Sequence, residues 1–164
     1  METVTLLRRL WRLVNRDVTG RTWVEESHHP YFGRLTRFCH RDRSKDWWEA
    51  DVEVPSLGNR IGVTIDATET APSDGEVAFC RSAVSDLDAL FSLARSAFEP
   101  VFYQWTKHSL PPEWRGSFDL DGFSVPKAGN PKNAWQLCFY VREAHHNFTA
   151  EFEGGRVVNV LVDG

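Results

Sequence analysis

The order of hydrophobic periodicities along the chain is the feature that most constrains its fold. Apolar and polar residues alternate within residues 31–67 and again within residues 118–163, whereas apolar residues recur every three or four positions between these regions. Alternation is typical of strands with one buried face, and intervals of three and four are typical of a helix. The alternating runs are "YFGRLTRF", "WWEADVEV", "RIGVTIDA", "FDLDGFSV", "AWQLCFYVRE", "NFTAEFEG" and "RVVNVLVD". Strands, helices and strands in that order predict an α+β domain, in which an N-terminal meander and the C-terminal strands form one antiparallel sheet.

The helical region begins at "SDGE", where Ser73 precedes Glu76 by three residues. This spacing predicts a capping box, in which each side chain hydrogen-bonds the backbone N–H of the other residue. Pro100 within the apolar pattern and a second capping signal at Asp86 indicate one kinked helix or two consecutive helices. We expect these helices to cover one face of the sheet. Their apolar seam (Val77, Cys80, Val84, Leu87, Phe91, Ala94, Phe98, Val101 and Trp105) would pack on Val52, Val54, Ile61, Val63, Ile65, Val158, Val160 and Val162.

Residues 1–24 form a basic segment ahead of a single α+β domain over residues 25–164. Helical spacing of Val4, Leu7, Leu10, Trp11 and Val14 predicts an amphipathic helix that ends near Gly20. The segment contains five arginines and two acids, a net charge of +3; because the whole chain carries −4, the domain carries −7. The helix either docks on the core with a solvated basic face, or binds a membrane surface or an acidic partner.

Composition argues against several functional classes. The three cysteines (Cys39, Cys80 and Cys138) are far apart and form no CxxC pair, which disfavours a disulfide framework and a zinc site. The sequence contains no run approaching the ~20 apolar residues of a membrane span. An acidic domain is also a poor phosphate binder, because contacts with nucleic acids need clustered lysine and arginine. We therefore expect a soluble cytoplasmic protein with no membrane or nucleic-acid partner.

The run "WWEADVEV" predicts a strand with one row of acids, Glu49, Asp51 and Glu53, opposite its apolar face. We interpret the row as the solvated face of the sheet; a metal or cationic-ligand site is the alternative. Candidate cross-strand partners for the row are Arg34, Arg37 and Arg60. Trp47 and Trp114 are the aromatic residues that we expect to be exposed in an interface, because tryptophan is enriched at binding hot spots.

The stretch "EAHHNF" places Glu143, His145 and His146 together at a predicted hairpin. Glu143 and His146 are three residues apart across a turn, a spacing that permits a general acid/base pair. Adjacent residues of a strand point to opposite faces, however, so the two histidines are not expected to bind one metal ion. The sequence contains no GxSxG, HExxH, GxGxxG or P-loop pattern. We therefore expect no cofactor and no metal, and interpret the histidines as an exposed hairpin corner.

Several of these runs together resemble a family of small bacterial α+β domains of unknown function. The resemblance covers about residues 30–164 and rests on "HPYFGRLTRF", "WEADVEV", "RIGVTIDA" and "AWQLCFYVREAHHNFTAEFEGGRVVNVLVDG". Some members of that family occur beside polymorphic toxin systems, which implies an immunity-like role. In the resemblance His146 stands at the family's histidine, His145 at its acid and Asn147 at its glycine. Asparagine tolerates the left-handed backbone conformation that such a glycine adopts.

Two functions of different classes follow from these features. The first is a non-catalytic, immunity-like or adaptor domain that binds a basic protein partner through Glu49, Asp51 and Glu53, with Trp47 and Trp114 at the interface. It is motivated by the acidic domain, the lack of catalytic motifs and the family resemblance. The alternative is a hydrolase-type enzyme centred on Glu143, His145 and His146, with an arginine such as Arg142, which requires these side chains to converge in a pocket.

Overall fold

The computed structural model describes residues 23–67 and 70–164, which form eight strands and two α-helices. The alternating runs identified in the sequence become strands, and the region of three- and four-residue spacing becomes the helices. The elements are β1 (Trp23–His29), β2 (Gly33–Cys39), β3 (Trp47–Val54), β4 (Asn59–Asp66), α1 (Asp74–Ser85), α2 (Leu87–Thr106), β5 (Phe118–Val125), β6 (Trp135–Val141), β7 (His146–Glu153) and β8 (Arg156–Asp163).

The strands form a single sheet in the order of the sequence, β1 to β8. Neighbouring strands are antiparallel except for β4 and β5, which are parallel. The exception follows from the two helices between these strands, because a parallel pair needs a long crossover connection. The predicted α+β class and the single sheet are confirmed, whereas the expectation of an antiparallel sheet throughout is wrong at this one junction.

The N-terminal part of the sheet contains one strand more than the sequence predicts. Strand β1 begins at Trp23, so the boundary expected at residue 24 falls inside a strand. Its residues are mostly exposed and include Glu25, Glu26 and His28, so it lacks the apolar alternation that marks the other strands. The predicted amphipathic helix lies outside the described residues. None of the described helices is long and apolar enough to cross a membrane.

Local hydrogen bonds set where the two helices begin. The predicted capping box is present: Ser73 N–H donates to Glu76 Oε2 at 2.7 Å, and Glu76 N–H donates to Ser73 Oγ at 3.3 Å. Asp86 Oδ1 accepts the Ala89 N–H at 2.9 Å and caps α2, which confirms two consecutive helices. Helix α2 contains Pro100 and continues to Thr106, where Lys107 adopts a left-handed conformation.

The core lies between the helices and one face of the sheet, and aromatic rings from α2 occupy its centre. The Phe98 ring packs near Phe118, Phe139 and Phe148, with centroid distances of 5.8, 6.0 and 6.1 Å. Most of the predicted helical seam is buried, but Trp105 near the end of α2 remains 43% exposed. The Phe98 ring of α2 thus packs against β5, β6 and β7, whereas the end of the helix at Trp105 is partly exposed.

One residue of the predicted core, Val158, points outward instead. A register shift between Glu151 and Phe152 pairs Phe152 with Val157 and Glu151 with Asn159. Val158 is the extra residue of this β-bulge and is 51% exposed. A bulge of one residue reverses the side on which later side chains lie, so the alternation of "RVVNVLVD" does not identify which valines face the core.

The loop after β5 makes a very close backbone contact with the start of α1. Gly129 has a φ of +69°, and a β-carbon at this position would collide with the Gly75 carbonyl. The neighbouring Ala128 N–H donates to Glu76 Oε1 at 3.2 Å, so the capping glutamate also anchors this loop. The start of α1 and the β5–β6 connection are therefore locked together through two glycines and one carboxylate.

Candidate binding face

Helices α1 and α2 pack on one face of the sheet; we call the opposite face the distal face. Paired residues of neighbouring strands lie on the same side of a sheet, so the strand registers identify the side chains of this face. A row of polar residues crosses the distal face over six strands, from β3 to β8. Its members are Glu49, Thr64, Ser124, Gln136, Glu151 and Asn159.

The predicted acid row lies on this distal face, but its members are not equally exposed. Asp51 and Glu53 are exposed, whereas Glu49 is only 5% exposed and accepts a hydrogen bond from Trp47 Nε1 at 3.3 Å. The expectation of a fully solvated row is therefore wrong at Glu49. The cause is position: Glu49 is paired with Thr36 on one side and Thr64 on the other, within the body of the sheet.

Of the three arginines expected to pair with the acid row, only Arg60 lies across from it. Arg60 is paired with Glu53 in the register and donates to the Asp51 carbonyl. Arg34 forms an ion pair with Glu26 of β1. Arg37 is paired with Trp48 of the opposite face and contacts Asp46 at 3.0 Å, because strand alternation turns it away from the acids.

Both tryptophans expected at an interface are buried, so the expectation that they are exposed is wrong. Trp47 is 4% exposed and stacks on Phe38 with a centroid distance of 5.0 Å. Trp114 is 6% exposed, stacks on Phe91 at 4.5 Å and donates its indole N–H to Asp88 Oδ1 at 2.7 Å. Trp114 thus closes one end of the aromatic core.

A cleft of about 440 Å³ lies at the end of the sheet where β4 and β5 finish and β6 begins. Its lining combines apolar groups with the middle of the polar row and with further charged residues. The lining residues are Thr64, Ile65, Asp66, Ser124, Val125, Lys127, Ala134, Trp135, Gln136, Glu151, Phe152, Glu153 and Val158. Thr64 is paired directly with Glu49, so the cleft and the acid row are continuous.

Hydrogen bonds hold the side chains of Ser124, Gln136 and Glu151 in the cleft. Ser124 Oγ accepts the Gln136 backbone N–H at 2.7 Å. Glu151 accepts from the Gln136 side-chain amide at 3.0 Å and from the Asn159 amide at 2.8 Å, one bond to each carboxylate oxygen. The Thr64 hydroxyl differs from these groups: it is buried and, within residues 23–67 and 70–164, has no hydrogen-bond partner.

The side chains of the predicted hydrolase centre have three separate sets of contacts. Glu143 Oε1 accepts from Ser117 Oγ at 2.6 Å. His145 Nδ1 lies 3.5 Å from the Tyr140 hydroxyl oxygen on an exposed corner. The His146 ring packs on Trp105 with a centroid distance of 4.4 Å, and its Nδ1 lies 2.7 Å from the Ala144 carbonyl oxygen. The hairpin therefore does not gather these groups around one point.

The hairpin also differs from the turn that the family resemblance implies. His145 has a φ of 55°, whereas Asn147 is buried within β7 and pairs with Tyr140 and Asp163. Arg142, the arginine of the hydrolase hypothesis, donates a hydrogen bond from Nε to Asp119 Oδ2 at 2.8 Å. Burial raises the pKa of Asp163, and the nearby His146 offsets part of that rise.

No family model, curated protein or solved structure matched this chain. The family resemblance therefore stays a prediction. Across residues 23–67 and 70–164, no group of three histidine, cysteine, aspartate or glutamate side chains is arranged to hold a metal ion.

Burial raises the pKa of the Cys80 thiol to about 12, so this cysteine is a neutral thiol at neutral pH.

The cleft residues were not among the functional candidates from the sequence. The polar cleft residues Thr64, Ser124, Gln136 and Glu151 each stand between apolar neighbours in a strand, in "VTI", "FSV", "WQL" and "AEF". That pattern identifies the distal face of each strand separately. Bringing Thr64 beside Ser124 requires the parallel pairing of β4 with β5, which alternation alone does not specify.

Proposed function

We propose that this chain is a non-catalytic, cytoplasmic protein-binding domain whose distal face engages a basic protein partner. The supporting observation is the concentration of carboxylates on that face: Asp51 and Glu53 are exposed on β3, and Glu151 and Glu153 lie at the cleft. A surface with one dominant sign of charge accelerates association with an oppositely charged partner and disfavours partners of like charge. An immunity-like inhibitor or an adaptor is the role that the family resemblance suggests.

The hydrolase alternative receives no comparable support. Glu143 is engaged by Ser117, His145 lies on an exposed corner and His146 is packed on Trp105. A general acid/base mechanism needs its groups within hydrogen-bond reach of one reacting site. The distal face therefore carries the proposal, without the two tryptophans first assigned to the interface.

Affinity purification of the tagged chain from its native lysate tests the proposal. We expect a stoichiometric basic protein that is retained at low salt and lost at moderate salt, because the contacts between exposed charges are screened. The double variant Asp51→Asn/Glu53→Gln should bind the purified partner about three- to tenfold more weakly, at ~0.3–0.7 kcal/mol for each exposed charge pair. Isothermal titration calorimetry of the purified pair measures this difference.

A matched control removes charge elsewhere. Glu113 is exposed, makes no side-chain cap hydrogen bond and precedes Trp114 on the helix side of the molecule. Glu113→Gln should leave the affinity unchanged within a factor of two. Equal weakening by both variants would indicate a general effect of net charge, and the absence of any salt-sensitive basic partner would contradict the proposed function.

A further inference from the structure

The cleft at the end of β4–β7 has the size and composition of a small binding site. Its volume of about 440 Å³ is near the lower end of the ~300–1,000 Å³ that is usual for ligand sites. It therefore suits one side chain or a similarly small group. Besides Asp66, which has a further interaction of its own, its lining contains the carboxylates of Glu151 and Glu153 against one lysine, Lys127. The balance of charge favours a cation.

The Thr64 hydroxyl provides independent evidence for a ligand. Thr64 is 3% exposed, its oxygen has no hydrogen-bond partner among the described residues, and its side chain lies on the distal face, the side of the cleft. Leaving a buried hydroxyl unpaired carries an uncompensated desolvation cost, and native proteins seldom retain such a group without a reason. A bound group that donates a hydrogen bond to this oxygen would remove the cost.

The carboxylate of Glu151 is held ready for a cation. The side-chain amides of Gln136 and Asn159 each donate one hydrogen bond to this carboxylate. Both donors are neutral. A carboxylate has about four acceptor positions, so both oxygens can accept further hydrogen bonds. Two fixed amides orient the charge without neutralising it, and hydrogen bonds to an oriented charge are among the stronger ones in proteins.

The arrangement of acceptors favours guanidinium over ammonium. Thr64 Oγ1, Ser124 Oγ and the Glu151 carboxylate belong to three different strands, and a guanidinium carries five donors in one plane. The exposed Val158 side chain, which lines the cleft, supplies an apolar wall for the methylene chain of the same residue. We infer that the cleft binds an arginine side chain of the basic partner, an inference that rests on the proposed function.

Titration of the ¹⁵N-labelled full chain with acetyl-Gly-Arg-Gly-amide, followed by nuclear magnetic resonance, tests this inference. The reporters are the backbone amides of Thr64, Ser124 and Gln136, and the indole N–H of Trp135. Trp135 lines the cleft, and its indole N–H has no hydrogen-bond partner in the part of the chain that the structure describes. We expect saturable shifts at these reporters with a Kd of about a millimolar, which is a typical affinity for a fragment of this size. The same peptide with citrulline, the neutral isostere, should bind at least about tenfold more weakly, because it lacks the charge.

Two variants separate binding from structure. Glu151→Gln should weaken binding of the arginine peptide about three- to tenfold, whereas Glu113→Gln, which makes the same change on the helix side of the molecule, should alter Kd less than about twofold. Thr64→Val should weaken binding about threefold without lowering the midpoint of urea unfolding, because it removes a hydroxyl that is unpaired in the free protein. If Thr64 had only a structural role, Thr64→Val would lower the midpoint of urea unfolding and leave the affinity for the peptide unchanged.

Several outcomes would overturn the inference. Equal binding of the arginine and citrulline peptides would remove the charge argument, and equal binding of a lysine peptide would remove the preference for guanidinium. A captured basic partner whose affinity falls with Asp51→Asn/Glu53→Gln but not with Glu151→Gln would reject the cleft and retain the proposed function. Arginine-peptide binding without any basic protein partner would contradict the proposed function and identify a site for a free guanidino compound instead.

Discussion

Replacement of Phe98 by alanine is expected to lower the free energy of unfolding by about 3–5 kcal/mol. Phe98 is fully buried in α2, and its ring packs against rings from β5, β6 and β7. Its removal leaves a cavity where the helix meets the sheet, and the neighbouring rings, already packed against one another, have little freedom to collapse into it. Urea unfolding followed by tryptophan fluorescence measures the change.

Tyr103 provides a matched control on the same helix. It is 58% exposed, and Tyr103→Ala also deletes an aromatic ring from α2. Both substitutions raise the intrinsic helix propensity by similar amounts, so the difference between them reports burial. We expect Tyr103→Ala to change the free energy of unfolding by less than about 1 kcal/mol. Equal losses in the two variants would mean that Phe98 does not occupy a close-packed core.

Gly129→Ala is expected to lower the free energy of unfolding by about 2–5 kcal/mol. The left-handed conformation costs a residue with a β-carbon about 1–2 kcal/mol, and overpacking typically adds about 1–3 kcal/mol. Gly129 incurs both costs, because its φ is +69° and a new methyl group would collide with the Gly75 carbonyl. The clash would also move the loop whose Ala128 N–H bonds the capping residue Glu76. Thermal unfolding by circular dichroism measures the loss.

Gly58 separates the two costs. Its φ is +64°, and a β-carbon there would meet nothing within 4 Å. Gly58→Ala should therefore lose only the conformational part, about 1–2 kcal/mol. If Gly129→Ala loses no more than Gly58→Ala, the close approach of the loop to α1 is absent in solution. A substantial loss from Gly75→Ala, which would collide with the Ala128 carbonyl, would support the contact from its other side.

The features that could be predicted from sequence are those set by residues close together in the chain. The capping box needs only Ser73 and Glu76, and the orientation of Asp51 and Glu53 needs only alternation within β3. The capping signal at Asp86 could be predicted for the same reason, because the cap and the amide that it binds are three residues apart, although the sequence left open whether the helical region is kinked or divided there. In these cases local chemistry and the final fold agree.

The features that could not be predicted depend on residues distant in sequence. Trp114 follows two prolines in a polar stretch, and its burial depends on stacking against Phe91 of α2. Val158 faces outward because of a bulge that only the pairing of β7 with β8 reveals. The cleft needs the parallel register that sets Thr64 beside Ser124. Alternation assigns a face to each strand, but it does not say which strands are neighbours.

The parallel junction between β4 and β5 divides the formation of the sheet into unequal steps. Strands β1 to β4, and likewise β5 to β8, pair with their sequence neighbours, so each half closes through short connections. The junction instead brings residues 62 and 122 together across both helices. Loop-closure entropy rises with the length of chain enclosed, and non-local pairing slows folding. The largest entropic barrier to forming the sheet therefore lies at the β4–β5 junction, beside the residues that line the cleft.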